Sequence, residues 1–163
     1  MTKAKRIPPF LLRLLALSAT ISATIVLVTS HDSAEVLNMS FVAKYSNSPT
    51  LKYFMIVNAI ASGYSLVLLF VPSKSLLWHF LLVLDLVITS LLISSISAAL
   101  AIAYVAKKGN SHAGWLPICG QVPKFCDHVT GALVAGFAAV IIYFLLLLYS
   151  IHNVLDLLST AKA

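Results

Sequence analysis

The chain has 163 residues, 60% of them hydrophobic and only 10% charged, with a mean hydropathy of +0.99. A soluble domain carries about a quarter charged residues, so this composition excludes one. The formal net charge of +6 comes from 11 Lys and Arg against 5 Asp and Glu. The cations are scattered, with no basic helix or aromatic-interleaved patch, which points to anionic lipid as the partner and excludes nucleic acid.

Four segments are apolar enough to cross about 30 Å of hydrocarbon, which takes roughly 20 helical residues. They are residues 10–29, 53–71, 77–105 and 131–149. Only helices satisfy every backbone group internally in lipid, and no alternating barrel pattern is present. The expected fold is all-α, a four-transmembrane-helix bundle making one membrane domain over 1–163.

The first segment follows Lys3, Lys5 and Arg6 and carries Arg13 within it. Its apolar run exceeds a signal-peptide core, so a retained span is expected. Neither a myristoylation nor a prenylation signal is read at the ends. Loop 30–52 holds the sequon Asn38-Met39-Ser40, a candidate N-glycosylation site. The turn at 72–76 is short enough to make spans two and three an antiparallel hairpin. Span three contains Asp85 and is longer than a crossing needs, so it should tilt or protrude. Loop 106–130 contains the only two cysteines, Cys119 and Cys126, together with Trp115 and Phe125.

Both long loops leave an odd-numbered span and return by an even one, so they share a side. With the N-terminus inside, Lys3, Lys5, Arg6, Lys74 and Lys162 face Lys44, Lys52, Lys107, Lys108 and Lys124 across the membrane. That tie leaves orientation to the basic flank of span one, to the sequon and to the cysteine pair. All three place both termini in the cytosol and both loops, 30–52 and 106–130, outside.

A charge at membrane depth costs about 2.5–3.5 kcal/mol and needs a partner or water. From the span starts, Arg13 lies roughly 5 Å deep and Asp85 roughly 12 Å at 1.5 Å per residue. An Arg13–Asp85 ion pair is the leading reading. Behind it stands an Arg13 that reaches the headgroups beside a protonated or water-facing Asp85. Last comes a proton or cation site at Asp85, because one acid in four spans is thin for a coupled pathway.

Small residues recur at i, i+4 on every span: Ala19 and Ala23; Ala59 and Gly63; Ser90, Ser94 and Ala98; Gly131, Ala135 and Ala139, with Ala132 and Gly136 as a second row. Such rows let helix backbones approach closely in lipid. Most should pack the bundle, and surplus rows would serve self-association. The cysteine spacing is not Cys-x-x-Cys, so a structural Cys119–Cys126 disulfide is favoured over redox chemistry, and metal binding lacks ligands. Trp115 and Phe125 are candidate interface or partner residues of that loop. No nucleophile–base pair or phosphate-cradling loop is visible, so neither an enzyme nor a cofactor is expected.

The stretch Arg-Leu-Leu-Ala-Leu-Ser-Ala-Thr at 13–20, Asp85 followed by Ser-Ser-Ile-Ser-Ala-Ala at 94–99, and the Trp115, Cys119, Cys126 loop resemble plant Casparian strip membrane domain protein-like (CASP-like) proteins. The loop wording and short tails look most like their first subfamily, a group distantly related to four-span MARVEL proteins. The resemblance covers essentially the whole chain. It implies an intramembrane Arg and Asp, here Arg13 and Asp85, the loop cysteines, cytosolic termini and the plasma membrane. It also implies homo- and hetero-association with family members, and a non-enzymatic scaffold that organises membrane domains and local cell-wall modification, with cell-wall or secreted enzymes as partners at the outer loops. Loop 30–52 has no match to the signature of the founding members, so a general scaffold carries over better than Casparian strip formation. The competing expectation is a small channel or proton-coupled transporter centred on Asp85.

Overall fold

The computed structural model describes residues 7–36, 39–70 and 78–162. Four long helices are formed: α1 (Ile7–Val28), α2 (Pro49–Phe70), α3 (Trp78–Lys108) and α4 (Pro123–Lys162). A hairpin of β1 (His31–Val36) and β2 (Met39–Lys44) joins α1 to α2. All four helices are long and apolar enough to cross a membrane, and the chain is a multi-pass membrane protein. Asn38 and the turn 72–76 lie outside the described residues.

Proline punctuates the helix starts. Pro49 and Pro123 open α2 and α4, where the missing N–H is an orphan in any helix. The Ser48 carbonyl accepts from Lys52 N at 3.0 Å, so Ser48 sits as the cap that its residue type favours. Helix α1 ends on hydroxyls: Thr29 donates to Ile25 O at 2.9 Å and Ser30 to Leu27 O at 2.6 Å, covering carbonyls that the helix end leaves open. Helix α3 ends at Gly109, whose φ is 71° and whose N–H reaches Val105 O at 2.7 Å. Only glycine takes that left-handed turn cheaply. A Cβ there would also lie 2.7 Å from Trp115 O. Ile118 N and Cys119 N then close on Ala106 O at 2.9 and 3.2 Å, so the loop seals the end of α3.

The helices pack in a square, with α1 against α2 and α4, and α3 against the same two. Helices α1 and α3 therefore stand on one diagonal, α2 and α4 on the other. Two apolar clusters fill the interior. At the hairpin end, Ala23, Leu27, Phe54, Ile96 and Leu133 pack together. Deeper in the bundle lie Ala16, Val57, Ala61, Leu92, Tyr143 and Leu146.

Two features depart from the sequence reading. Loop 30–52 contains the antiparallel hairpin, with His31 opposite Lys44 and Val36 opposite Met39, and its Ala43 packs on the upper cluster. Loop 106–130 is shortened at both ends by helix. Helix α4 already runs through 123–130, because Val122, Phe125 and Val129 are buried at helical spacing while Lys124, Asp127 and His128 face out. An amphipathic turn of this kind is helix outside the apolar run. With 40 residues, α4 reaches about 60 Å, beyond the ~40–45 Å of a bilayer with its headgroups.

Candidate functional site

The helices bring their charged and hydroxylated residues together near the end opposite the hairpin. Arg13 lies six residues after the start of α1, and Asp85 seven after the start of α3. The two therefore sit about 9 and 10 Å along their axes, closer in level than the apolar runs alone indicated. The guanidinium Nη2 of Arg13 is 2.8 Å from each carboxylate oxygen of Asp85. Tyr64 of α2 donates its hydroxyl to Oδ1 at 2.7 Å, and Ser150 of α4 donates to Oδ2 at 3.1 Å. One carboxylate thus accepts from all three other helices.

The Asp85 side chain is fully buried and that of Arg13 is 12% exposed. Desolvating such a pair is costly, and only saturated hydrogen bonding offsets the cost. Here each carboxylate oxygen takes two donors. The Arg13 Cζ also lies 5.2 Å from the Tyr64 ring centroid, within cation–π range. Thr89 returns its hydroxyl to Asp85 O at 2.6 Å, which keeps that hydroxyl out of the carboxylate shell. Arg13 Nη1 is buried without a hydrogen-bond partner among the described residues.

A second buried link lies deeper, on the other diagonal. The Tyr143 hydroxyl donates to Ala61 O at 2.5 Å and shares a 2.7 Å bond with Ser65 Oγ, tying α4 to α2. Asn58, fully buried, donates to Phe54 O at 2.9 Å, and its Oδ1 has no partner among the described residues. Hydroxyls elsewhere in the spans mostly bond back to their own helix, as Thr20 does to Ala16 O at 3.0 Å.

The small-residue rows divide between two surfaces. Ala23, Ala132, Gly136 and Ala139 are buried, and Ala19, Ala98 and Ala135 partly so. Gly136 is a close-approach position, because a Cβ there would meet the Phe54 ring at 2.7 and 2.9 Å. Ala59, Gly63, Ser90, Ser94 and Gly131 face outward instead, and a Cβ on Gly63 would meet nothing within 4 Å. Cys119 and Cys126 are joined with a Cα–Cα distance of 5.7 Å. Trp115 is 57% exposed, whereas Phe125 is only 8% exposed and belongs to the upper cluster. Phe125 is therefore a packing residue of α4 and not a free loop aromatic.

Sequence reasoning missed Tyr64 and Ser150. A signal for Tyr64 existed, since it stands six residues before the end of α2, the mirror of Arg13 in α1. Ser150 carries none, because serines are common in spans and usually satisfy themselves. Among the described residues no three His, Cys, Asp or Glu side chains group as a metal site requires. Chemically the cluster is a cross-brace: a carboxylate held by a cation and two hydroxyls.

The family model for the Casparian strip membrane protein domain matches residues 2–142. A protein named CASP-like protein 1C1 from Vitis vinifera is 65% identical over 156 residues, covering 96% of this chain and 98% of its own. CASP-like protein 1C3 from Populus trichocarpa is 61% identical, covering 96% of each chain. The Arabidopsis thaliana CASP-like protein 1C1 is 59% identical over 152 residues, covering 93% of each. No solved structure matches the chain.

Proposed function

The chain belongs to the Casparian strip membrane protein domain family, and from that premise we propose that it is a non-enzymatic plasma-membrane scaffold that self-associates to organise a membrane domain. Its termini lie in the cytosol, and the hairpin and the disulfide loop face the cell wall. Partners are second copies, related family members and lipid, with secreted wall-modifying enzymes meeting the outer loops, where Trp115 is exposed.

The observation that carries this reading is the division of small residues. The bundle consumes Ala23, Ala132 and Gly136 internally, yet Ala59, Gly63, Ser94 and Gly131 lie on its outer faces. In lipid, helices associate through close backbone approach and hydrogen bonds, not through a hydrophobic drive. Outward rows of small residues are thus available for contacts between copies. Glycosylation at Asn38 would mark the outer side.

Particle size in mild detergent, followed by crosslinking in native membranes, tests the reading. Wild type should form oligomers. Gly63→Leu with Ala59→Leu, both at exposed positions of one row, should shift them toward monomer without lowering the melting temperature. A monomer in both settings would refute self-association. Proton flux in proteoliposomes that Asp85→Asn abolishes would instead support the transporter.

A further inference from the structure

At the hairpin end, a cavity of about 250 Å³ opens between the last turns of α3, the first turns of α4 and the start of α2. Its floor is apolar, made by Leu51, Phe125 and Val129, and the Cys119–Cys126 bridge forms one wall. Two opposite charges line it, Lys107 from α3 and Asp127 from α4. Both side chains are exposed, and neither has an ion-pair or hydrogen-bond partner among the described residues. They face one cavity without neutralising each other.

The position supplies the ligand chemistry. Lys107 is in the final turn of a candidate span and Asp127 in the opening turns of the next, so the cavity lies where a span meets the headgroup layer. Ile102, half-exposed beside it, continues the apolar floor onto the lipid-facing surface of α3. A ligand suited to this site has an anionic and a cationic group attached to a hydrocarbon chain. The volume falls below the 300–1,000 Å³ of sites that engulf a drug-sized molecule, so a headgroup enters while the chains remain in the bilayer.

We propose that this cavity binds a zwitterionic phospholipid, with the phosphate on Lys107, the ammonium on Asp127 and an acyl chain descending past Ile102. A paired cation and anion discriminate against a lipid with phosphate alone, because Asp127 then faces a like charge without compensation. The site would place an ordered lipid against the disulfide loop, at the outer ends of α3 and α4.

Native mass spectrometry tests this on the full chain, purified with its disulfide intact and supplied with equal phosphatidylethanolamine, phosphatidylcholine and phosphatidylglycerol. The two zwitterionic lipids should be retained about fivefold or more over phosphatidylglycerol. Asp127→Asn should erase that preference. Lys107→Gln should lower retention of all three lipids, and Thr130→Trp, which puts bulk into the cavity from an exposed position, should do the same. Melting temperature should stay unchanged in each variant, and the wild-type comparison of headgroups needs no variant at all. Equal retention of the three lipids, or a preference indifferent to Asp127→Asn, would overturn the proposal. Displacement of the lipid by free phosphoethanolamine would also overturn it, giving the site to a soluble zwitterion.

Discussion

Removing either member of the Arg13–Asp85 pair leaves a charge in low dielectric, which costs about 3–5 kcal/mol when the pair is fully buried. The structure makes the two losses unequal. Asp85 has no exposure and cannot move, so Arg13→Leu strands a carboxylate with only two hydroxyl donors, from Tyr64 and Ser150. That loss should approach the full ~3–5 kcal/mol. Arg13 is 12% exposed and about 9 Å from its helix start, so after Asp85→Leu its long stem can carry the charge back to the headgroups. The Ser150 hydroxyl can turn to its own helix. About 2–3 kcal/mol is expected for Asp85→Leu. For a chain of this length each kcal/mol lowers Tm by roughly 2–4 °C, so Arg13→Leu should cost about 10 °C. The double variant strands no charge and should lose only about 1–2 kcal/mol, for the two hydroxyls and imperfect packing. The assay is a double-mutant cycle on Tm of the purified protein in one detergent. Losses that add within ~0.5 kcal/mol would refute the pairing argument, and an Asp85→Leu loss larger than that of Arg13→Leu would refute the asymmetry.

Gly136→Ala should destabilise by about 1–3 kcal/mol, since its Cβ would overlap the buried Phe54 ring, an overpacking cost that exceeds the gain in helix propensity. The control is Gly63→Ala, which meets nothing within 4 Å and should be neutral or stabilise by up to ~1 kcal/mol in the same melting assay. Reducing the Cys119–Cys126 bond, separated by 7 residues, should cost about 2.5 kcal/mol in the chain-entropy model. Maleimide should label the denatured protein only after reduction, and labelling without reductant would count against the bond. Endoglycosidase should shift the protein from a plant or yeast host, and Asn38→Gln should remove that shift. Glycosylation of a sequon engineered into a lengthened 72–76 turn would contradict cytosolic termini.

The spans were legible because hydrocarbon imposes one requirement, roughly 20 apolar helical residues, which four segments meet. Arg13 and Asp85 stood out for the converse reason, that a charge in such a segment must be compensated. Tyr64 and Ser150 were hidden because hydroxyls satisfy themselves within helices and impose no such demand. The early start of α4 was hidden because averaging hydropathy over 123–130 mixes the inner Phe125 and Val129 with the outer Lys124 and Asp127. The small-residue rows were visible as rows, yet i, i+4 spacing is the same on every face of a helix. Gly136 is separated from Gly63 only by the presence of Phe54 across the interface. The β1–β2 hairpin left little trace, because His31-Asp32-Ser33-Ala34-Glu35-Val36 lacks the alternation that marks a half-buried strand.

The polar links also explain how a bundle can keep its shape while leaving its outer faces free. Inner and outer surfaces of these helices meet equally apolar surroundings, so burial alone does not specify which neighbours a helix takes. The specification comes from bonds that cross the square. Arg13 to Asp85 fixes the α1–α3 diagonal, Tyr143 to Ala61 and Ser65 fixes the α2–α4 diagonal, and Tyr64 and Ser150 join both diagonals at one carboxylate. These bonds tie every helix to another through a group that hydrocarbon would otherwise leave unpaired. Under the proposed self-association, contacts between copies would then need to contribute nothing to the fold. The same logic separates two kinds of variant: substitutions at Arg13, Asp85 or Gly136 should lower the melting temperature of each chain, while bulk at the exposed Gly63 should leave it no lower and, under the proposed self-association, act on contacts between copies.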